Sequence, residues 1–354
     1  MANESPIGIE PSSAPASNGA PPAAGAAELS PGDAATFSEL FAGTVRNIEQ
    51  VIQGKGEVIE LVVLCLVAEG HLLIEDRPGV GKTTLAKALA ASLETTFGRI
   101  QFTPDLLPSD VVGVTVFDRS SSTFTFRPGP IFNSIVLADE INRASPKTQS
   151  ALLESMAEKQ VTADGQTFAL PRPHLVLATQ NPIEHEGTYP LPDSQLDRFL
   201  MRLSIGYPSR ADEIAILDTH GQSDGLERLG AVLTTRQLDA MVAAARAVHV
   251  APAIKEYLVD LANASRKHPY VWVGLSPRAT LAMQRVCRAR AAAAGRNYVT
   301  PDDVKALAEP VMAHRLMLST TPEAPRAVGG PEVVADMLAQ VPVPVTPAAE
   351  RRAG

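Results

Sequence analysis

Cysteine is scarce in this chain. Its two cysteines, Cys65 and Cys287, have no second cysteine and no histidine at the spacing of metal ligands. Both lie in apolar or helical surroundings, where a thiol packs as a small hydrophobic side chain. We therefore expect two reduced, buried thiols, as in a cytosolic protein, rather than a disulfide or a zinc site.

Long apolar runs are also missing. The most apolar run, Leu61 to Ala68, is too short to cross a bilayer and is bracketed by Glu60 and Glu69, so it predicts a buried helical segment. The N-terminus has no cationic segment followed by an apolar one, which a secretory signal would need. These absences predict a cytoplasmic protein with no membrane span.

Positive charge is not in excess. The 31 Lys and Arg residues are outnumbered by 39 Asp and Glu residues, the net charge is -8 and the sequence pI is about 5.5. This balance argues against a broad nucleic-acid surface, although it leaves a local basic patch open. With 354 residues, 45% of them hydrophobic, the chain has the size and composition of about two globular domains. Residues 1 to 33 are rich in Pro, Ala, Ser and Gly and predict a disordered N-terminal tail.

The strongest positive signal is a glycine-rich loop between a strand pattern and a helix pattern. Leu72 to Ile74 has the length of a buried strand, and apolar residues recur at helical spacing from Lys82 to Leu93. Glycines let such a loop turn its N–H groups toward a phosphate, and the following helix adds the positive end of its dipole. The predicted phosphate loop consists of Pro78, Gly79, Val80, Gly81, Lys82, Thr83 and Thr84.

Within this loop, Lys82 is predicted to reach the β- and γ-phosphates of a nucleotide, and the Thr83 hydroxyl to bind Mg²⁺. Asp76 stands where the full G-x-x-x-x-G-K-[ST] pattern has its first glycine. Because Asp tolerates left-handed backbone angles better than most residues, we expect the turn to survive there. A plain glycine-rich turn is the alternative for the loop as a whole.

Two acids end the apolar run from Ser134 to Glu140, which has the pattern of a buried strand in a parallel sheet. Ligands gather at the carboxyl ends of such strands. Asp139 is therefore predicted to hold Mg²⁺ through water, and Glu140 to polarise the attacking water. The alternative is that both acids simply favour the start of the helix at Pro146 to Glu158.

Three further polar residues are candidates. Asn181 ends the apolar run from His174 and could orient water against the γ-phosphate, or it could be a turn residue before Pro182. Arg198 precedes the last strand pattern, Leu200 to Ile205, and Arg278 lies at a helix start, where a cation opposes the dipole. A solvated surface charge is the alternative for both arginines.

The remaining patterns predict the fold around these residues. Arg99 to Thr103 predicts another strand, and two hairpins are predicted at 115–127 and around Asp164-Gly165. After residue 209 the strand patterns stop. Helices are predicted near 210–220, 234–248, 252–267, 276–294, 301–318 and 331–340.

These segments together resemble the MoxR family of AAA+ ATPases over roughly residues 36 to 343. The resemblance is carried by Phe102 to Asp110, Gly129 to Phe132, Leu137 to Ala144, Lys147 to Glu154, Ala178 to Pro182 and Leu196 to Phe199, in the order of the family. It implies an α/β P-loop NTPase fold with a parallel five-stranded sheet, hairpins within helix 2 and before sensor 1, and a smaller all-α lid domain. The implied boundaries are an N-terminal tail at 1–33, the nucleotide-binding domain at 34–208, the lid at 209–343 and a C-terminal tail at 344–354.

The resemblance also implies roles. The phosphate loop corresponds to Walker A, Asp139 and Glu140 to Walker B, Asn181 to sensor 1, Arg198 to the arginine finger and Arg278 to sensor 2. Whether Arg278 serves its own subunit or a neighbour stays open. The implied cofactors are ATP and Mg²⁺, and the implied assembly is a ring, usually a hexamer, with ATP between subunits.

The implied activity is ATP hydrolysis that drives chaperone-like maturation or metal-cofactor insertion, often with a partner that carries a von Willebrand factor A domain. The client protein is not indicated. A magnesium-chelatase-like motor subunit shares most of the motifs and is the nearest alternative. A nucleic-acid translocase is less favoured because the chain is acidic. A non-hydrolysing scaffold is less favoured because Glu140 and Arg198 are both present.

Overall fold

The computed structural model describes residues 29–120, 122–182, 187–220, 225–319 and 328–344. It divides into two compact units, one formed by Leu40–Ala240 and the other by Ala27–Glu39 together with Met241–Gly354. The predicted N-terminal tail up to residue 28 and the predicted C-terminal tail from residue 345 lie outside the described residues. None of the helices in the described part of the chain is long and apolar enough to span a membrane.

Strands and helices alternate in the first unit, and helices dominate the second. The strands are β1 (Leu72–Glu75), β2 (Phe97–Gln101), β3 (Gly113–Asp118), β4 (Thr123–Pro128), β5 (Ile135–Asp139), β6 (Gln160–Ala163), β7 (Gln166–Ala169), β8 (Leu175–Gln180), β9 (Met201–Leu203), β10 (Val271–Val273) and β11 (Met317–Leu318). The helices are α1 (Pro31–Glu49), α2 (Gly56–Val67), α3 (Lys82–Ser92), α4 (Pro108–Val112), α5 (Pro146–Glu158), α6 (Asp193–Leu196), α7 (Arg210–His220), α8 (Thr235–Ala247), α9 (Pro252–Lys267), α10 (Pro277–Ala293), α11 (Pro301–Met312) and α12 (Gly330–Gln340).

A five-stranded parallel sheet forms the centre of the first unit, with the strand order β2-β5-β8-β1-β9. Every residue of β5 is buried, as are the first five residues of β8. This burial explains the unbroken apolar runs, because strands covered on both faces have no solvent side to favour polar residues. The parallel sheet of five strands is as predicted, and it places the carboxyl ends of β1, β5 and β8 side by side.

Both predicted hairpins are present as separate two-stranded antiparallel sheets, β3 with β4 and β6 with β7. The turn between β6 and β7 has Asp164 at φ 49° and Gly165 at φ 78°. Left-handed angles at both positions are those of a two-residue hairpin turn, which Asp-Gly favours. The stacked rings of Phe126 in β4 and Phe168 in β7, 4.2 Å apart, join the two hairpins.

The second unit is a helical bundle with a hydrophobic core drawn from α9 to α12. Among its fully buried side chains are Leu261, Met283, Val286, Val304, Leu307, Val311 and Val333. The predicted helix at 301–318 is shorter than expected, because α11 ends at Met312. A short 3₁₀ turn follows, and β11 then pairs with β10 in a small antiparallel sheet. The prediction that strands are missing after residue 209 was therefore wrong at these few residues.

The compact units divide the chain at other positions than the implied domain limits, which stay predictions. Residues after 208 belong to the first unit up to Ala240. They are held there by backbone bonds: Val232 N–H donates to the Ser92 carbonyl at 2.9 Å, and Glu94 N–H donates to the Leu233 carbonyl at 3.1 Å. At the other end α1 begins at Pro31, inside the expected tail, where the Ser30 hydroxyl accepts a hydrogen bond from Asp33 N–H.

Candidate active site

A cavity of about 340 Å³ opens at the carboxyl ends of β1, β5 and β8. It gathers residues from three separate stretches of the chain. They are Pro78, Gly79, Gly81, Lys82, Thr83, Thr84, Asp139, Glu140 and Asn181. Most of the predicted site residues therefore meet in one place. Val80, Arg198 and Arg278 are not among the described residues that line it.

The phosphate loop takes its shape from two glycines. Gly79 has φ 82° and Gly81 has φ 92°, and Gly81 caps the N-terminus of α3. A side chain would be strained at these angles, although no neighbouring atom would obstruct it. Lys82 starts α3, and its Nζ donates to the backbone carbonyl of Asp76 at 2.6 Å, across the loop. The loop thus combines a helix N-terminus with a cation, the features that bind phosphate.

Asp76 preserves the turn in another way than the expected tolerance of left-handed backbone angles. It is not in the left-handed region, and its side chain is buried. Its Oδ2 accepts hydrogen bonds from the N–H groups of Ile205 and Gly206, both at 2.7 Å, and from the Ser204 hydroxyl at 2.9 Å. Burial by itself would raise the pKa of this carboxyl, but these bonds and one from Arg77 N–H outweigh it and lower the pKa. Asp76 therefore anchors the loop to the chain after β9.

Asp139 ends β5 with its carboxylate held on both oxygens. Oδ1 accepts a 2.6 Å bond from the Thr179 hydroxyl, and Oδ2 forms a 2.7 Å ion pair with Arg99 of β2. Thr179 also accepts a bond from Glu140 N–H at 2.8 Å, so its hydroxyl joins the two acids at the end of β8. These contacts fix the orientation of the Asp139 carboxylate.

Glu140 has φ 57° and ψ 49°, a left-handed conformation that is uncommon for a residue with a side chain. It turns the chain sharply out of β5 into the short 3₁₀ helix Ile141–Arg143. Its Oε2 accepts bonds from Gln101 Nε2 at 2.9 Å and from Arg143 at 3.2 Å. Backbone conformations of this kind cluster at functional sites, where the surroundings hold them.

Asn181 follows β8 and is buried against the cavity. Its backbone carbonyl lies 3.5 Å from Nδ2 of Asn142, a buried residue just after Glu140. The ends of β5 and β8 are therefore also connected beyond the two acids.

The two arginines lie outside the cavity lining. Arg198 is half-buried just after α6, and its Nη1 donates to the Leu153 carbonyl of α5 at 2.6 Å. Arg278 is exposed in the first turn of α10, in the second unit, where the Ser276 hydroxyl caps the helix by accepting a bond from Ala279 N–H. The roles predicted for both arginines stay predictions.

Comparison with known proteins places this geometry in a family. The model of the ATPase family associated with various cellular activities matches residues 71–201, and a model of the AAA lid domain matches residues 263–337. The chain is 41% identical to Chaperone MoxR1 of Mycobacterium tuberculosis, over 77% of this chain and 74% of that protein. The chain belongs to the MoxR family of AAA+ ATPases.

Two further proteins match most of this chain. YeaC of Bacillus subtilis is 46% identical over 88% of this chain and 97% of its own length. A crystal structure of a candidate ATPase from Cytophaga hutchinsonii superposes with a TM-score of 0.82 at 32% identity, covering 89% of this chain and 98% of that one. The fold of this chain is therefore shared with a solved structure over most of its length.

The oxygen donors of this MoxR-family site fit a magnesium ion. The Thr83 hydroxyl and the Asp139 carboxylate line the same cavity as the phosphate loop. Mg²⁺ prefers oxygen ligands and is usually held by one or two protein groups together with substrate phosphates. Arg99 now neutralises the same carboxylate that such an ion would approach.

Several residues around the site were missed by the sequence reasoning, namely Arg99, Gln101, Thr179, Arg143 and Gln149. Two signals could have found some of them. Arg99 and Gln101 alternate on β2 and so point to one side of the strand, and Thr179 is a buried polar residue in an otherwise apolar run. Which acid each of them contacts depends on the order of the strands.

Proposed function

We propose that this chain hydrolyses ATP to ADP and phosphate with Mg²⁺ and uses the cycle to remodel or mature partner proteins, including insertion of a metal cofactor. The observation that carries the proposal is the single cavity in which Lys82, Asp139, Glu140 and Asn181 meet beside a helix N-terminus. Its volume and its mixture of cation, carboxylates and backbone donors suit a nucleoside triphosphate.

The residues divide the chemistry among them. Lys82 and the N–H groups of the phosphate loop bind the phosphates, while Thr83 and Asp139 would hold Mg²⁺, which would neutralise phosphate charge. Glu140 orients the attacking water and accepts its proton, and Asn181 positions that water against the γ-phosphate. For Glu140 to act, its carboxylate must leave Gln101 and Arg143, which now hold it.

We also propose that the site is completed by a neighbouring copy in a ring of six subunits. Arg198 supports this, because its guanidinium is bonded to the Leu153 carbonyl of α5, the residue is half-exposed, and it is not among the described residues that line its own cavity. A cation near the γ-phosphate stabilises transition-state charge and raises turnover by several powers of ten in related enzymes. We propose as well that the ring acts with a partner protein that carries a von Willebrand factor A domain, and that it does so in the cytoplasm.

Glu140→Gln tests the chemistry. We expect the variant to bind ATP as the wild type does and to lose at least about a hundredfold in turnover, because the amide cannot accept a proton from water. Lys82→Ala should lose ATP binding itself. Binding is measured by titration calorimetry and turnover by phosphate release, with and without Mg²⁺.

Glu75→Gln is the matched control, since Glu75 also ends a strand of the sheet but pairs with Arg202 outside the cavity lining. It should retain turnover. Turnover of Glu140→Gln at the level of this control would remove Glu140 from the proposed role.

The work on partner proteins needs its own experiment. The Glu140→Gln variant, held with ATP, should retain a protein from cell extracts that is released when ATP is omitted. A purified candidate client must then change its protease sensitivity in the presence of wild-type protein and ATP, and must not change with Lys82→Ala. An unaltered client would contradict the remodelling activity while leaving ATP hydrolysis intact.

A further inference from the structure

Gln149 is a buried amide near the N-terminus of α5, with 1% of its surface exposed. Its Nε2 lies within hydrogen-bonding distance of three backbone carbonyls: Ile141 at 3.1 Å, Ala144 at 3.2 Å and Tyr189 at 2.9 Å. The first two belong to residues 140–144, which we call the Glu140 turn. The third belongs to the chain that leads from β8 to α6. One side chain thus ties both segments to α5.

The same helix, α5, also holds Arg198. Leu153, whose backbone carbonyl accepts the 2.6 Å bond from Arg198 Nη1, is four residues after Gln149 and so lies about one turn further along the helix. Tyr189 N–H donates to the Asn142 carbonyl at 2.6 Å, a second bond between the Glu140 turn and the chain before α6. Both α5 and the chain before α6 therefore link the turn that carries Glu140 to Arg198.

We infer that Gln149 is a positioning residue that couples the Glu140 turn of one subunit to the Arg198 that this subunit lends to its neighbour. The inference rests on the proposed function, because it needs Arg198 to act on a second copy of the chain. Gln149 itself touches no substrate.

The physical basis is the stiffness of a packed helix. When the Glu140 carboxylate exchanges Gln101 and Arg143 for the attacking water, we expect a small shift of the turn that carries it, and the Gln149 amide would pass that shift to α5. The Arg198 guanidinium is bonded to the same helix, so it moves with it. A misplacement of about 1 Å in a catalytic group can lower a rate by about a hundredfold, so a small displacement of α5 is enough to change the neighbouring site.

The test separates the subunit that hydrolyses from the subunit that lends the arginine. Wild-type protein is mixed with Glu140→Gln protein, which is expected to bind ATP without hydrolysing it, at a ratio at which the mixture retains turnover. Turnover per wild-type subunit is then compared with mixtures in which the Glu140→Gln subunit also carries Gln149→Met. Methionine keeps the length of the side chain and removes its N–H donors.

Two further mixtures are the controls. In one, the second substitution is Thr148→Val, which removes a buried hydroxyl on the same helix that donates to the Leu106 carbonyl at 2.7 Å and lies 3.2 Å from the Ser145 hydroxyl. Neither of these contacts is with a carbonyl of the Glu140 turn. In the other, the second substitution is Arg198→Ala. We expect turnover to fall about tenfold or more with Gln149→Met and with Arg198→Ala, and to stay unchanged with Thr148→Val.

A fall with Arg198→Ala but not with Gln149→Met would overturn the inference and leave the shared site standing. If Arg198→Ala also had no effect, the shared site and the inference would both fail. Should Gln149→Met not fold, Gln149→Asn, which withdraws the amide by one methylene, takes its place with the same expectation. Failure of both variants to enter mixed rings, while Thr148→Val enters them, would assign Gln149 to folding alone and overturn the inference.

Discussion

Asp76 shows how a single side chain can replace a glycine in a phosphate loop. We expect Asp76→Ala to lower the free energy of unfolding by about 3 kcal/mol, because the N–H groups of Ile205 and Gly206 lose a charged acceptor in a buried place. Because the pKa of Asp76 is lowered on folding, its contribution is present above the ordinary value of 3.8 and is lost as the pH falls below it. Urea denaturation without nucleotide measures the effect.

The matched control is Glu75→Ala, whose carboxylate is partly exposed and pairs with Arg202 at 3.3 Å. It should cost less than about 1 kcal/mol. Equal losses for the two variants would show that Asp76 does not anchor the loop.

His174 predicts a pH dependence of stability. Burial is the main cause that lowers the pKa of its imidazole to about 4, from 6.5, although a bond to the Asn133 carbonyl opposes the shift. Between pH 6.5 and pH 4 the unfolded chain therefore binds a proton at His174 that the folded chain does not bind. The free energy of unfolding is therefore unaffected by the protonation of His174 above pH 6.5. It falls progressively as the pH is lowered toward 4, by about 3 kcal/mol at most.

His174→Asn tests this expectation, because Asn keeps a donor for the Asn133 carbonyl and does not titrate. The difference in unfolding free energy between wild type and variant should be constant above pH 7 and should shift in favour of the variant as the pH falls to 4.5. A constant difference across the whole range would contradict the assignment.

Among the secondary-structure elements, the two hairpins depend on one ring contact. Phe126 stacks on Phe168 at 4.2 Å and meets Phe132 edge-on at 5.8 Å. We expect Phe126→Ala to speed amide hydrogen exchange in β3 and β4 by about tenfold, because an aromatic pair contributes about 1 kcal/mol beyond its buried area. Exchange in the central sheet should be unchanged.

Phe124→Ala is the control, since Phe124 is on the same strand and face but is 75% exposed. It should leave β6 and β7 unaffected and change β3 and β4 only at its cross-strand partner Phe117. Equal exchange in the two variants would show that the stack does not hold the first hairpin.

For the whole molecule, the shared site predicts that turnover depends on assembly. We expect turnover per subunit to fall as the protein is diluted, and Arg198→Ala to lose at least about a hundredfold in turnover while it keeps ATP binding. Mixtures of Arg198→Ala with wild type should be less active than the average of the two. Arg202→Ala, which removes a surface pair with Glu75, should match wild type in all three measurements.

Constant turnover per subunit across dilution, or mixtures that average the two activities, would show that each copy works by itself. That result would contradict the shared site without affecting the roles proposed for Lys82 and Glu140.

Local patterns predicted much of this molecule. The strand, glycine-rich loop and helix around Lys82 were predictable because burial, backbone angles and helix spacing are all expressed in neighbouring residues. For the same reason, the acids after β5, Asn181 after β8 and the Asp164-Gly165 hairpin appear where they were expected. The family resemblance added the order of these segments and the expectation of a five-stranded sheet.

Tertiary structure decided which side chains form hydrogen bonds and ion pairs with each other. The order β2-β5-β8-β1-β9 puts strands next to each other that are distant in the chain, and only that order brings Arg99 to Asp139 and Gln101 to Glu140. The task of Asp76, the bond from Arg198 to Leu153 and the three carbonyls around Gln149 also depend on segments far apart in sequence. Periodicity records whether a residue is buried, whereas a hydrogen-bond partner depends on which distant segment packs against it.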